Sequence, residues 1–162
     1  METLEYRTID KSTWGDGPWM TEPDKRQWPD PATGLPCLIV RTHMGQLCGY
    51  VGVAEGHPLF GKQDGDGGMP WLECHGGITF TDKCNPAETA EHGICHIPGV
   101  GEPDHVWWFG FDAAHSGDFV PGMESKIRSL GVPRYQHHDT YRDLAYMTSH
   151  VTALAAQLRA LA

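Results

Sequence analysis

The spacing of the apolar residues changes between the middle of this chain and its end, and this change restricts the folds open to it. Residues 37–42, 47–53 and 105–111 are short apolar segments rich in β-branched or aromatic side chains, which is typical of β-strands. Between residues 139 and 161 the apolar positions instead recur at alternating steps of three and four, which indicates an amphipathic helix. A sheet followed by helices predicts an α+β protein.

The 162 residues are expected to form a single domain in three parts. Residues 1–35 interleave tryptophan with proline, glycine and aspartate, and they predict an irregular arm that anchors its indoles in the domain. Residues 36–112 are expected to hold an antiparallel sheet with long loops. Residues 122–162 are expected to be helical, beginning with a short helix over residues 123–130 that ends at Gly131.

The C-terminal amphipathic helix is expected to follow Asp139 as its N-cap and to cover one face of the sheet. The same spacing also allows two copies of the helix to pair as a coiled coil in a homodimer. An apolar seam of about three heptads is close to the minimum length for such a pair. The sheet is therefore the expected partner of this helix.

The segments 37–42 and 47–53 predict a β-hairpin around a four-residue loop. Such a loop places Arg41 opposite Cys48 and puts Arg41 on the same face of the sheet as Tyr50. Arg41 and Tyr50 are therefore candidates for the floor of a substrate pocket. A solvated charge on an exposed sheet face is the alternative.

The connections between the remaining predicted strands are long. Residues 71–75 and 77–81 predict two strands separated by a glycine break, and residues 105–111 predict a central strand that is covered on both faces. Residues 55–70 are rich in glycine and aspartate, and we expect a mobile loop or lid there. Residues 82–103 form a second long connection.

The charge of the chain restricts its partners. Its formal net charge is −9, with 12 lysines and arginines against 21 aspartates and glutamates, which argues against a groove for polymeric nucleic acid. A small phosphorylated ligand is still compatible, because one or two arginines or a bound cation can reverse the local field. No apolar run approaches the roughly 18 residues that span a bilayer, and no secretory signal is recognisable at the N-terminus, so no membrane partner and a cytoplasmic location are expected.

The five cysteines are expected to be free thiols in a reducing compartment, because their number is odd and none forms a CxxC pair. A structural zinc site through Cys74, Cys84, Cys95 and His96 is the alternative. Its spacings match no standard zinc finger or ribbon.

Histidines and carboxylates occur where predicted strands give way to glycine-rich or proline-rich loops. Such loops present reactive groups from a rigid scaffold, and imidazole suits proton transfer or metal ligation near neutral pH. The candidates of this kind are His57, His75, Asp112, His115 and Asp118. We expect the three imidazoles to surround one cavity, with the carboxylate of Asp118 nearby.

Asp112, His115 and Asp118 recur every three residues, and this spacing has two interpretations. They converge on one point only if residues 113–117 form a turn. In the alternative, Asp112 caps the N-terminus of a helix and the other two are ordinary polar residues of its first turn.

Gly76 and Gly77 directly follow His75. Glycines at this position allow a ligand or another backbone to approach closely, and their N–H groups can bind an anion. We therefore expect Gly76, Gly77 and Arg41 to hold the phosphoryl oxygens of a substrate.

Several segments resemble a family of small open reading frames in phages and prophages. The similarity extends roughly from Trp28 to the end of the chain and is carried by GYVGV with GHP, HGGITF, WWFGFDAAHSGD and YRDLAY. No established activity accompanies this family, so the resemblance implies a setting and no catalytic residues. Small accessory phage proteins often counter host defence or alter nucleotide pools, which implies a nucleotide-like ligand in the cytoplasm of a bacterial host.

Three functions fit these observations. The first is a phosphodiesterase-like hydrolase in which two histidines act as general base and acid, or in which His57, His75, His115 and Asp118 hold Zn²⁺ or Mn²⁺. The second is a non-catalytic protein that sequesters a nucleotide used in host defence signalling. The third is a structural or inhibitory phage protein that acts through protein contacts.

Overall fold

A computed structural model describes residues 1–132 and 138–162. This part of the chain forms one antiparallel six-stranded sheet and two α-helices, which confirms the α+β class. In chain order the elements are β1 (Leu4–Tyr6), β2 (Lys25–Pro29), β3 (Pro36–Arg41), β4 (Leu47–Ala54), β5 (Phe80–Lys83), β6 (Val106–Asp112), α1 (Pro121–Ser129) and α2 (Leu144–Ala160). The strand order is β1-β2-β3-β4-β6-β5. Neither helix is long and apolar enough to cross a membrane.

The N-terminal arm is more regular than expected, because it contributes β1 and β2 to the sheet. Its indoles are buried as predicted: Trp14, Trp19 and Trp28 are 6–7% exposed. The strand β2 lacks an alternating apolar pattern because Lys25 and Gln27, which are its most deeply buried side chains, are polar. Polar groups can be buried in this way when they are hydrogen-bonded.

Lys25 and Gln27 hold the long connection before β6 against the sheet. The Nζ of Lys25 donates to the carbonyl oxygens of Gly93 and Cys95 at 2.5 and 2.6 Å. The amide side chain of Gln27 donates to the carbonyl of Ile97 and accepts from its N–H. The backbone of residues 93–97 is therefore bonded to these two side chains, in the way that a strand is bonded to the backbone of its neighbour.

The prediction that all five cysteines are free is wrong for Cys84 and Cys95, which form a disulfide. Their separation of 11 residues in one loop gave no recognisable motif. Cys37 and Cys48 are buried free thiols and Cys74 is a half-buried one. The zinc alternative fails because the disulfide occupies two of its four proposed ligands.

The β3–β4 hairpin has a different register from the predicted one. Arg41 pairs with Leu47, and the loop has five residues because Thr42 bonds to Gln46 through both backbone and side chain. A slip of one residue moves every side chain of a strand to the other face. Arg41 and Tyr50 consequently lie on different faces of the sheet.

Both faces of the sheet are covered. On one face, Met147, Val151, Leu154 and Leu158 of α2 pack with Ile39, Val51, Phe109 and Phe111 of the strands. On the other, a smaller cluster contains Leu38, Cys48, Tyr50, Val106 and Trp108. The two-sided burial of β6 is thus confirmed, and the apolar stripe of α2 packs against the chain's own sheet instead of forming the coiled-coil seam of a homodimer.

Both predicted helices are present, although each begins at a different residue from the predicted one: α1 begins at Pro121, two residues early. Helix α1 ends near the predicted position, and Gly131 follows it with a φ of 66°. Helix α2 begins at Leu144 rather than after Asp139, because Asp143 is its N-cap and accepts a hydrogen bond from the N–H of Tyr146. The four residues after Asp139 therefore precede the helix.

Of the two strands predicted around the glycine break, the structure contains only the second, which begins three residues later than expected as β5. Residues 71–75 instead run beside α2. The backbone N–H and carbonyl of Glu73 bond to the side chain of Gln157 at 2.7 and 2.8 Å. A helix side chain thus satisfies backbone groups that the sequence pattern assigned to a neighbouring strand.

Candidate functional site

His75, His115 and Asp118 converge at one end of the sheet. The Nε2 of His75 lies 2.7 Å from Oδ2 of Asp118, and the same oxygen accepts the backbone N–H of His115 at 3.0 Å. The two imidazole ring centres are 5.5 Å apart. Three of the predicted site residues are therefore in direct or near contact.

The turn after β6 produces this convergence. The Oδ1 of Asp112 accepts the N–H of Ala114 at 2.9 Å, and the N–H of Asp118 donates to the carbonyl of His115 at 2.9 Å. Residues 113–117 thus form the turn that convergence requires, rather than the first turn of a helix. Asp112 itself lies at the rim, where Oδ1 is 3.8 Å from Nε2 of His115.

Gly76 and Gly77 were predicted to allow a close approach and to bind an anion through their N–H groups. The structure shows a close approach, by a side chain. Both have positive φ values, of 70° and 86°, and a Cβ at Gly76 would overlap the ring of His115. The Nε2 of that ring is buried and has no hydrogen-bond partner among the described residues. The N–H of Gly77 is donated to the carbonyl of Cys74, so this amide is not free to bind an anion.

Asp118 is the buried charge of the site. Its side chain is 1% exposed, and besides His75 and the His115 amide it receives a hydrogen bond from Nε of Arg142 to Oδ1 at 2.8 Å. Burial alone would raise the pKa of this carboxyl, but the hydrogen bonds from Arg142, His75 and His115 outweigh it and hold the pKa below its usual value. Asp118 is therefore an anion at neutral pH.

This anion determines how His75 is protonated. A carboxylate only accepts hydrogen bonds, so Nε2 of His75 carries a hydrogen and donates it to Asp118. In the neutral imidazole Nδ1 is then an acceptor, and the hydroxyl of Tyr146 lies 2.9 Å from it. Asp118, His75 and Tyr146 form a continuous hydrogen-bonded chain, which we call the relay.

Three site residues that sequence reasoning missed come from α2 and the residues just before it. Tyr146 and His150 are spaced four apart, which places them on one side of α2, and Arg142 lies just before the N-cap Asp143. The guanidinium carbon of Arg142 is 4.8 Å from the ring centre of Tyr146, and the ring centres of Tyr146 and His150 are 4.7 Å apart. The available signal was a polar repeat of four residues beside the apolar stripe.

His150 lies next to the relay without belonging to it. Its ring centre is 6.0 Å from that of His75. Burial lowers the pKa of His150 below the usual value, and the neighbouring His75 and Arg142 lower it further. The imidazole is consequently neutral at pH 7 and able to accept a proton.

The structure does not bring His57, which was predicted as a catalytic residue and metal ligand, to this site. Its Nδ1 accepts the N–H of Leu59 at 3.1 Å, and its Nε2 bonds to the carbonyl of Leu158 at 2.8 Å. Leu158 lies eight residues beyond His150, about 12 Å along the helix axis. One ring nitrogen of His57 thus contacts the end of α2, and the other is bonded within its own loop.

Arg41 and Tyr50 do not reach the site either. The Arg41 side chain is fully buried and bonds to Glu22 at 2.9 Å and to Asp24 at 3.0 Å. These carboxylates belong to the N-terminal arm, whose position the sequence did not reveal. Tyr50 is buried on the opposite face of the sheet, with its ring edge-on to Phe80.

The described residues contain no set of side chains arranged to bind the predicted metal ion. Within residues 1–132 and 138–162 no group of three or more histidine, cysteine, aspartate or glutamate side chains has a geometry that could hold a metal ion. Both ring nitrogens of His75 and both oxygens of Asp118 already have protein partners. The four predicted ligands therefore do not act together.

A groove of about 590 Å³ also borders α2, on a different side of the helix. Its lining residues are Glu22, Arg26, Asp143, Leu144, Ala145, Thr148 and Ser149. None of the relay residues contributes to it. The groove and the relay are therefore separate features of the protein.

Comparison with known proteins identifies no relative: no family model, no curated protein and no solved structure matches this chain. The resemblance to small phage open reading frames therefore stays a prediction. The geometry of the site is therefore the basis for any proposed function.

Proposed function

We propose that this protein is a small hydrolase that acts on a phosphorylated or nucleotide-like molecule through the relay. The observation that carries this proposal is the unbroken chain of hydrogen bonds from the buried Asp118 through His75 to the half-buried Tyr146. A buried carboxylate that orients an imidazole against a hydroxyl is an arrangement suited to moving a proton during catalysis.

The relay explains why a charge is buried at this point. The proton that His75 takes up during the reaction would lie in a ring whose Nε2 is only 2.7 Å from the carboxylate of Asp118. His75 can therefore take a proton from Tyr146 and return it.

The side chain of Arg142 is evidence that the substrate is an anion. It uses Nε to bond Asp118, and no described residue receives a hydrogen bond from its two terminal nitrogens. A guanidinium with free terminal donors beside the relay is suited to bind phosphoryl oxygens. It supplies the local positive charge that the overall charge of −9 lacks.

The acid–base form of the hydrolase is better supported than the metal form. Ligation by His75 would break the hydrogen bonds that its two nitrogens make with Asp118 and Tyr146. His57, which was the fourth proposed ligand, is held by the backbone at the far end of α2. We therefore assign the chemistry to the side chains of the relay.

The proposed setting follows from the resemblance to small phage proteins. It supports an origin in a phage or prophage and action in the cytoplasm of a bacterial host, where the Cys84–Cys95 disulfide would face reducing conditions. A nucleotide used in host defence signalling fits both the setting and the free donors of Arg142.

The test is turnover of a panel of cyclic and linear nucleotides, read by chromatography. We expect product from the wild type and a loss of at least about a hundredfold in His75→Gln. His43→Gln is the matched control, because His43 is exposed and distant in sequence from the relay. Equal turnover in all three proteins would contradict the proposal.

Two further outcomes favour the other functions. If a nucleotide stabilises the protein and is recovered unchanged after denaturation, the protein sequesters its ligand and the hydrolase proposal is wrong. If no nucleotide is turned over or raises the melting temperature, a role through protein contacts replaces both.

A further inference from the structure

We propose that Tyr146 is the nucleophile of this site and that its phenolic oxygen forms a transient covalent bond to the phosphorus of the substrate. This inference rests on the proposed function and deepens it. It follows from the way in which the relay ends: both nitrogens of His75 are occupied, so the imidazole can reach a substrate only through the hydroxyl of Tyr146.

The hydroxyl of Tyr146 differs in its bonding from that of Tyr141, the tyrosine five residues before it. It donates its hydrogen to His75, so the lone pairs of its oxygen remain for an electrophile. The hydroxyl of Tyr141, by contrast, accepts from Arg41 at 2.7 Å and donates to Glu22 at 2.6 Å. Tyr141 is therefore held in a structural network, whereas Tyr146 has unused acceptor capacity.

The surroundings of Tyr146 suit attack on a phosphoryl group. Arg142 lies over the ring, where its positive charge offsets the negative charge that develops on the phenolic oxygen and on the phosphoryl oxygens. The half-buried position leaves the ring accessible to a small molecule. Nucleophile, base and anion-binding group are thus adjacent.

The first step forms one bond and breaks another. The oxygen of Tyr146 attacks phosphorus while its proton passes to Nδ1 of His75, and Asp118 stabilises the imidazolium that results. The bond from phosphorus to the leaving oxygen breaks, and the leaving group departs as an anion with that electron pair. Departure as an anion favours a phosphoanhydride or an aryl phosphate over an alkyl ester.

The second step restores the protein. A water molecule attacks phosphorus and gives its proton to the neutral imidazole of His150, which lies beside the Tyr146 ring. The bond between phosphorus and Tyr146 breaks, and the phenolate takes back the proton from His75. His150 then releases its proton to solvent.

An arylsulfonyl fluoride tests this inference without knowledge of the substrate. Its sulfur bonds to a reactive tyrosine oxygen, fluoride leaves, and the phenolic proton passes to a base. Peptide mass spectrometry compares Tyr146 with Tyr6, a second half-buried tyrosine that lies outside the relay. We expect Tyr146 to react at least about tenfold faster, because a positioned base accelerates such transfers by this much or more.

The variants make this test specific. We expect His75→Gln to abolish the selective labelling of Tyr146, His43→Gln to preserve it, and Tyr6 to be unaffected in both proteins. Circular dichroism confirms that each variant is folded. Labelling of Tyr146 no faster than that of Tyr6, or labelling unaffected by His75→Gln, would overturn the inference.

A second experiment separates this inference from the proposed function. Bis(p-nitrophenyl) phosphate is the probe, and Tyr146→Phe removes only the hydroxyl. We expect this variant to lose turnover by at least about a hundredfold, and acid-quenched wild type to carry an aryl phosphate on the peptide that contains Tyr146. If Tyr146→Phe retains turnover that His75→Gln abolishes, Tyr146 is not the nucleophile while the hydrolase proposal stands.

Discussion

The side chains of His75 and Asp118 are in hydrogen-bond contact, 2.7 Å apart, although 43 positions separate them in the chain. The antiparallel pairing of β5 and β6, in which Phe80 lies opposite Gly110, explains this contact. It brings the residues just before β5 and those just after β6 to the same end of the sheet. The site is therefore a direct product of strand topology.

The first prediction concerns the anion of the relay. We expect Asp118→Asn to lower the free energy of unfolding at pH 7 by about 2 kcal/mol, which is typical for hydrogen bonds to a buried charge. The pKa of Asp118 is depressed in the folded protein, so this stability is present above the ordinary carboxyl pKa and is lost as the pH falls through the folded value. The difference between wild type and variant should therefore shrink with decreasing pH.

Urea unfolding at several pH values between 7 and 3 measures this difference. Asp64→Asn is the control, since Asp64 is exposed and its side chain has no bond to the relay. A difference between wild type and Asp118→Asn that stays constant with pH would contradict the assignment of Asp118 as a paired anion.

The second prediction concerns the proton affinity of His150. Burial lowers its pKa, and His75 and Arg142 add to the effect. We expect NMR titration to give His150 a pKa below the usual histidine value of about 6.5, and Arg142→Gln to raise it. Arg128→Gln on α1, which removes an exposed guanidinium, is the control and should leave it unchanged. An unaltered pKa in Arg142→Gln would mean that Arg142 does not act on His150.

The third prediction separates backbone strain from the contact between Gly76 and His115. Gly76 and Gly61 have similar φ values of 70° and 76°, but only at Gly76 would a Cβ meet another residue. An alanine at positive φ costs about 1–2 kcal/mol, so Gly61→Ala should show only this loss. Gly76→Ala should lose more stability and should also displace the ring of His115.

Denaturant unfolding and the NMR signals of the His115 ring measure the two effects. If Gly76→Ala and Gly61→Ala lose equal stability and the His115 signals are unchanged, the close approach of glycine and imidazole has no importance for the site.

The apolar patterns of the sequence predicted the parts of the fold that apolar burial determines. The stripe of α2 and the two-sided burial of β6 are of this kind, since their side chains alone specify the faces that must be covered. The strand β2 was missed because Lys25 and Gln27 are buried by hydrogen bonds to a distant loop. No local pattern shows such partners.

The candidate site was predicted in part for a related reason. His75, His115 and Asp118 stand in loops after or between predicted strands, where a functional role is recognisable from local sequence. Tyr146 and His150 lie on a helix and look like ordinary solvent-facing residues until the tertiary contact with His75 is known. The same local reasoning placed His57 among the candidate site residues. Its bond to the carbonyl of Leu158 depends on how α2 packs, which the local sequence does not show.

The last prediction concerns the disulfide between Cys84 and Cys95. Closure of a loop of this size, with a separation of 11 residues, is expected to contribute about 3 kcal/mol to stability. We expect a reductant to lower the melting temperature of the wild type and to leave that of a Cys84→Ser, Cys95→Ser double variant unchanged.

Counting thiols tests directly whether the disulfide is present. In denaturant without reductant, a thiol reagent should count the three free cysteines, Cys37, Cys48 and Cys74, and after reduction it should count all five. Five reactive thiols before reduction would show that the bond is absent. In that case the hydrogen bonds from Lys25 to Gly93 and Cys95 would have to hold the loop against the sheet without it.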